Sequence, residues 1–159
     1  IDNQGNEINA YERVKLQLYF ANEEGNKLNV VTRSVVYSSN FSPERQVVEE
    51  IIAGPKPHDV SSVKNSKAYP VINPATKIIS VNIRDNVCYV NLDDGFLTQT
   101  YEVSPEIPIY ALANSLVELS NVNKVQISIN GETNISYTES INLSAFYERN
   151  LDLVESVGE

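Results

Sequence analysis

The chain has no methionine, no tryptophan, a single cysteine (Cys88) and a single histidine (His58). A lone cysteine closes no internal disulfide and cannot by itself build a zinc site. Basic residues are scarce, 12 Lys plus Arg against 21 Asp plus Glu, for a net charge of −9. That sign repels a phosphate backbone, so nucleic acid is not an expected partner. No apolar run approaches the roughly 18 residues that a membrane helix needs. Also missing are a phosphate-cradling glycine loop, a Gly-x-Ser-x-Gly elbow and a His-Glu-x-x-His element. Catalytic residues, cofactors and metals are therefore not expected, and the chain reads as no enzyme. What is present is 42% hydrophobic residues over 159 positions, enough to bury one domain's core.

The chain begins at Ile1, and its first stretch is polar, rich in Asn, and without period. Residues 1–12 read as a flexible lead-in, 13–147 as one domain, and 148–159 as a partly frayed tail; from Ile141 onward Leu143, Phe146, Tyr147 and Leu151 are expected to dock on the body. A chain that starts this way is expected to be a trimmed fragment, with any signal peptide or lipidated cysteine lying upstream.

Residues 14–20 alternate, with Val14, Leu16, Leu18 and Phe20 on one face and Lys15, Gln17 and Tyr19 on the other. That period predicts a half-buried strand. A β-branched run over 28–37 follows a Gly25 turn, giving a hairpin whose second strand has apolar residues in both phases. Ser42-Pro43-Glu44 is a helix start: hydroxyl cap, proline in the first turn, acid at the positive dipole end. Val47, Val48, Ile51 and Ile52 make its apolar stripe, and Gly54-Pro55 ends it. Residues 57–74 read as a long loop with a helical turn over 61–65.

Asp85-Asn86 predicts a tight hairpin between strands 76–84 and 87–92. That register puts Ile79, Val81 and Ile83 on the core side with Cys88, Val90 and Leu92. Ser80, Asn82, Arg84, Tyr89 and Asn91 take the opposite side. Ser104-Pro105-Glu106 starts a second helix near 107, with an amphipathic stripe of Ile109, Leu112, Ala113, Leu116 and Leu119. Residues 124–130 alternate again, Asn130-Gly131 turns the chain, and a short strand follows over 134–137. The expected fold is α+β: a two-layer sandwich of a mixed or antiparallel sheet with two helices on one face.

The individual candidates for chemistry are few. His58 reads as a solvated loop residue and Cys88 as a small apolar core residue. Glu49 and Glu50 diverge as helix neighbours and read as a solvated face. Asp93-Asp94-Gly95 suits a cap better than a calcium loop, since it lacks the spaced acids. The open sheet side is the candidate interaction surface: Tyr19, Ser80, Asn82, Tyr89 and Asn91.

Ile51-Ile52-Ala53-Gly54-Pro55, then Pro74-Ala75-Thr76-Lys77-Ile78-Ile79-Ser80-Val81, then Val87-Cys88-Tyr89-Val90-Asn91-Leu92 resembles the GerMN (Germane) domain of sporulation and spore germination proteins. Residues 110–120, followed by Lys124-Val125-Gln126-Ile127-Ser128-Ile129-Asn130-Gly131, are similar to its second helix and closing strand. The resemblance covers roughly residues 14–131. It implies a bacterial envelope protein, often a lipoprotein of Gram-positive spore formers, sitting outside the cytoplasmic membrane. A fold like the ring-building motif is implied as well. It supplies no catalytic residue to carry over. The expected partner is then another envelope protein, with self-association as a variant, and the membrane is touched only through an N-terminal lipid anchor. A peptidoglycan or wall-glycan binding module is the alternative, and a wall hydrolase the third reading.

Overall fold

The computed structural model describes residues 12–37 and 39–155. The lead-in expected at 1–11 and the last four residues of the expected tail lie outside them. The alternating opening forms β1 (Arg13–Ala21), paired antiparallel with β2 (Leu28–Val36) so that Tyr19 faces Val30. Gly25 in the connection has φ +74°, and a Cβ there would sit 2.3 Å from the Glu102 carbonyl oxygen. Gly131 also has positive φ, +83°, but a Cβ there would meet open space. The left-handed conformation alone costs a side chain roughly 1 kcal/mol. Gly131→Ala is expected to lose about that much and Gly25→Ala on the order of 3 kcal/mol, read as urea-unfolding midpoints.

The first helix, α1 (Pro43–Ala53), is capped as the sequence predicts. The Ser42 hydroxyl accepts the Arg45 N–H at 3.3 Å, and Gly54 closes the helix at φ 87°. Val47, Val48 and Ile51 point into the core. The helical turn expected over 61–65 is absent. Val60–Ser61 is instead β3, a short strand added to β2, because the free ladder groups of β2 outcompete a single isolated turn. Further along the loop, Tyr69 exchanges hydrogen bonds with Ala21 at 2.8 and 2.9 Å, and Val71 and Ile72 are buried.

Asp85 and Asn86, at φ 53° and 65°, join β4 (Ile78–Arg84) to β5 (Val87–Leu92). Val81 faces Val90 and Ile83 faces Cys88, in the expected register. A bulge between Ile78 and Ser80 corrects the expectation for Ile79, which is 48% exposed while Ile78 packs on the core. One extra residue shifts every side chain beyond it to the other face.

The second helix, α2 (Glu106–Val117), begins one residue earlier than expected and without a side-chain cap; the Ile107 N–H donates to the Ser104 carbonyl instead. Its expected single stripe is also corrected. Ile107, Pro108, Ile109 and all residues from Ala111 to Leu116 are buried, leaving Tyr110 half-buried. The helix packs on β1, on α1, and on β6 (Lys124–Ile129) and β9 (Tyr147–Glu148). Its two buried polar residues are satisfied. Asn114 exchanges hydrogen bonds with the Asn150 backbone, and Ser115 accepts the Tyr19 N–H at 3.0 Å while donating to the Ala111 carbonyl.

β6 runs parallel to β5, and β9 pairs with its start. β7 (Ser136–Thr138) and β8 (Ile141–Asn142) form a separate hairpin. The orders are β1-β2-β3, β4-β5-β6-β9 and β7-β8, so the strands divide among three sheets. The fold is α+β with two helices and mixed and antiparallel strands, as expected. The helices cover the side of the second sheet that carries Val81, Cys88, Val90, Leu92, Val125 and Ile127. Beyond residue 147 the chain stays docked: Val154 bridges Leu28, and the Glu155 N–H donates to the Leu28 carbonyl. Of the four residues from 141 onward expected to dock, Leu143 and Tyr147 are buried, whereas Phe146 and Leu151 are exposed.

Candidate interaction surface

Alternation along β4, β5 and β6 places two polar rows on the side of the second sheet away from the helices. Asn82, Tyr89 and Gln126 lie in register across the three strands, and Ser80, Asn91 and Ser128 form the next row. Asn82 is exposed and the other five are half-buried. Arg84 stacks over the Tyr89 ring at 4.7 Å. Asn91 accepts the Gly131 N–H at 2.9 Å, and Gln126 donates to the Ser144 carbonyl at 3.2 Å. Lys124 lies over the Phe146 ring beside the same rows. Four of the five residues expected on this surface, Ser80, Asn82, Tyr89 and Asn91, therefore share one face.

Tyr19 does not join them. It is 5% exposed, and its hydroxyl donates to Glu118 Oε2 at 2.8 Å, with Arg149 on the same carboxylate. Burial, and then the bond to Glu118, pushes its pKa up to about 12. The expectation failed because β1 is covered on both faces toward its end, where Leu18, Tyr19, Phe20 and Ala21 are all buried. An amphipathic ring suits such a site, with its body in the core and its hydroxyl at the margin.

An ionic cluster that no local motif announces is built around Arg33. This residue is 4% exposed. Its guanidinium donates to both Asp59 oxygens, to Glu50 Oε1 at 2.9 Å and to the Gly54 carbonyl at 2.8 Å. Lys56 Nζ adds a second contact to Glu50 at 3.2 Å. Glu50 is thus part of a half-buried network rather than a solvated face, while Glu49 makes an i, i+4 pair with Arg45. Arg33 also stacks on Phe20 at 5.4 Å. The partners stand 17 and 26 positions from Arg33, a separation that no local pattern encodes.

The remaining candidates fall where the sequence puts them. His58 is exposed. Cys88 is fully buried, and burial, with a lesser push from Glu44, raises its thiol to about 12, so it is not a nucleophile at neutral pH. Asp93 caps the short 3-10 turn Asp94–Leu97 through the Gly95 N–H and also accepts the Lys77 N–H. Among the described residues no three of His, Cys, Asp and Glu gather to hold a metal ion, and no helix is long and apolar enough to cross a membrane.

Comparison with known proteins supports the same fold. The tandem GerMN domains of the sporulation protein GerM from Bacillus subtilis superpose with a TM-score of 0.66 at 15% identity, covering 97% of this chain and 51% of that one. The chain thus spans about half of the tandem structure. A Clostridium perfringens protein assigned as a lipoprotein superposes at TM-score 0.57 and 14% identity, over 90% of this chain and 93% of that one. The first GerMN domain of GerM alone gives 0.54 at 22% identity, over 75% and 84% of the two chains. No curated protein matches in sequence. The family model described as "Sporulation and spore germination" (Germane) matches residues 17–135. The chain belongs to the Germane family.

Proposed function

We propose that this chain is a non-catalytic interaction module outside the cytoplasmic membrane, part of a bacterial envelope lipoprotein that scaffolds a sporulation or germination complex. The observation that carries the reading is the flat polar face of the second sheet. Its Asn, Gln, Ser and Tyr side chains donate and accept hydrogen bonds but supply neither a general base nor an activated nucleophile. Family membership, the GerM likeness and the likeness to the Clostridium perfringens protein assigned as a lipoprotein support the envelope setting. Half-buried tyrosine framed by carboxamides is the composition of a contact surface. Quantitative crosslinking of the full-length protein to envelope partners in sporulating cells tests it. Tyr89→Ala should lower the captured partner about tenfold, as loss of an aromatic anchor does. Equal capture by wild type and Tyr89→Ala would remove this face from the reading.

A second reading has its own observation. A tyrosine ring stacked with Arg84 among Asn82, Asn91 and Gln126 is also chemistry that contacts sugar rings. Retention on purified peptidoglycan that disappears in Tyr89→Ala would favour the glycan module over a protein partner.

A further inference from the structure

The outer edge of β2 carries a different kind of site. In an antiparallel ladder, alternate residues turn their N–H and C=O groups toward and away from the partner strand. The Ala21 N–H donates to Tyr69 and the Tyr37 N–H to Glu12, which fixes the phase: the even-numbered residues of β2 face outward. The outward carbonyls bear this out. Leu28 accepts from Glu155, Val30 from Ser62, Ser34 from Arg13 Nη1 at 3.4 Å and Val36 from Gln46 at 3.3 Å. β3 pairs only as far as Thr32. Among the described residues the N–H groups of Ser34 and Val36 have no partner strand, so this end of the edge keeps its donors free while its acceptors are filled.

Those donors open onto a groove of about 630 Å³ between β2, α1 and the loop over 56–59, with Arg13, Gln46, Lys56 and His58 around it. Arg33 lies at the back, its charge already met by Asp59 and Glu50. The lining carries three cations, Arg13, Arg33 and Lys56, against the two carboxylates Glu50 and Asp59; Lys56 is paired with Glu50 though its side chain is 50% exposed, and the exposed Arg13 leaves the mouth basic. A basic, donor-lined strand edge on a chain of net charge −9 calls for an acceptor-rich, acidic occupant.

We propose that this groove binds an extended acidic peptide by strand addition to β2. Peptide carbonyls accept from the Ser34 and Val36 N–H groups, and acidic side chains meet Arg13 and Lys56. The inference rests on the interaction-module reading and names the partner's chemistry at a surface separate from the Tyr89 face.

The test is NMR titration of the whole chain with a peptide of about eight residues alternating Glu and Val. The expected result is slowed hydrogen exchange at the Ser34 and Val36 amides, with shifts confined to the groove. Arg13→Glu should weaken binding about tenfold by placing like charge at the mouth. Ser34→Pro removes an outward donor without touching the β1 ladder and should abolish the exchange protection. If Ser34→Pro does not fold, a peptide with thioamides at alternate residues, whose sulfur is a weaker acceptor than the carbonyl oxygen, replaces it and should bind about fivefold more weakly. Absence of binding at millimolar peptide, equal binding of a Lys/Val peptide, or shifts centred on Tyr89 would overturn the proposal. Undiminished binding of the thioamide peptide would also overturn it, by reducing the site to charge alone. Tyr89→Ala should leave the titration unchanged, so failure of the groove and failure of the polar face are separable.

Discussion

Arg33→Ala should cost about 3–5 kcal/mol of folding stability, the usual penalty for breaking a buried ion pair from one side. The loss has three sources. Asp59, whose side chain is 6% exposed, would be left charged without its partner, Glu50 would lose its shortest contact, and the Gly54 carbonyl would lose its donor. The melting temperature should fall roughly 10 °C or more for a chain of this size. Calorimetry of wild type and variant at neutral pH measures it, and a change below about 1 kcal/mol would show that the cluster is solvated. The same cluster sets an acid limit. Burial by itself pushes Asp59 up, but hydrogen bonds from Arg33 and the Lys56 N–H, with their charges, carry it below the ordinary carboxylate range. The unfolded chain therefore binds this proton more readily than the folded one. The cluster's stabilisation is complete above the unfolded pKa and is lost as pH falls through the folded one. Asp59→Asn should flatten that acid limb as well as lower stability at neutral pH. An acid limb as steep as that of wild type would exclude Asp59 as its source.

Ala111→Glu is the second large effect, and it separates two pictures of α2. A helix with one apolar stripe of Ile109, Leu112, Ala113 and Leu116 would leave Ala111 on the opposite, solvent face and tolerate glutamate within about 0.5 kcal/mol. In the structure Ala111 is 0% exposed, on a helix enclosed by β1, α1, β6 and β9. Glutamate there must bury a carboxylate or push the helix off its neighbours, at a cost on the order of 4 kcal/mol or more. Loss of the cooperative urea transition, or a steep drop in its midpoint, is the expected observation. A variant as stable as wild type would restore the one-sided helix.

Legibility in the sequence followed the range of the interaction. Ser42 and Gly54 bounded α1 correctly because a cap is settled among residues three or four apart. Asp85-Asn86 set the β4–β5 register because both residues tolerate positive φ and the strands follow directly. That register brought Ser80, Asn82, Tyr89 and Asn91 onto one face. Ile79 escaped, since a bulge inserts one residue without changing the apolar pattern. Arg33 escaped for a different reason. A charged residue in a β-branched run looks like a solvent position until Asp59 and Glu50 arrive from other elements.

The amino-acid order alone thus determined the α+β class, the two helices, the principal hairpins and one polar sheet face, because period and turn chemistry act within a few residues. Tertiary packing decided that α2 is enclosed rather than one-sided, that Tyr19 is buried, and that the strands separate into three sheets. It also decided that, among the described residues, the edge of β2 ends in unfilled donors beside Arg13 and Lys56. Which surfaces meet water depends on what every other element covers, and no local window of sequence contains that information.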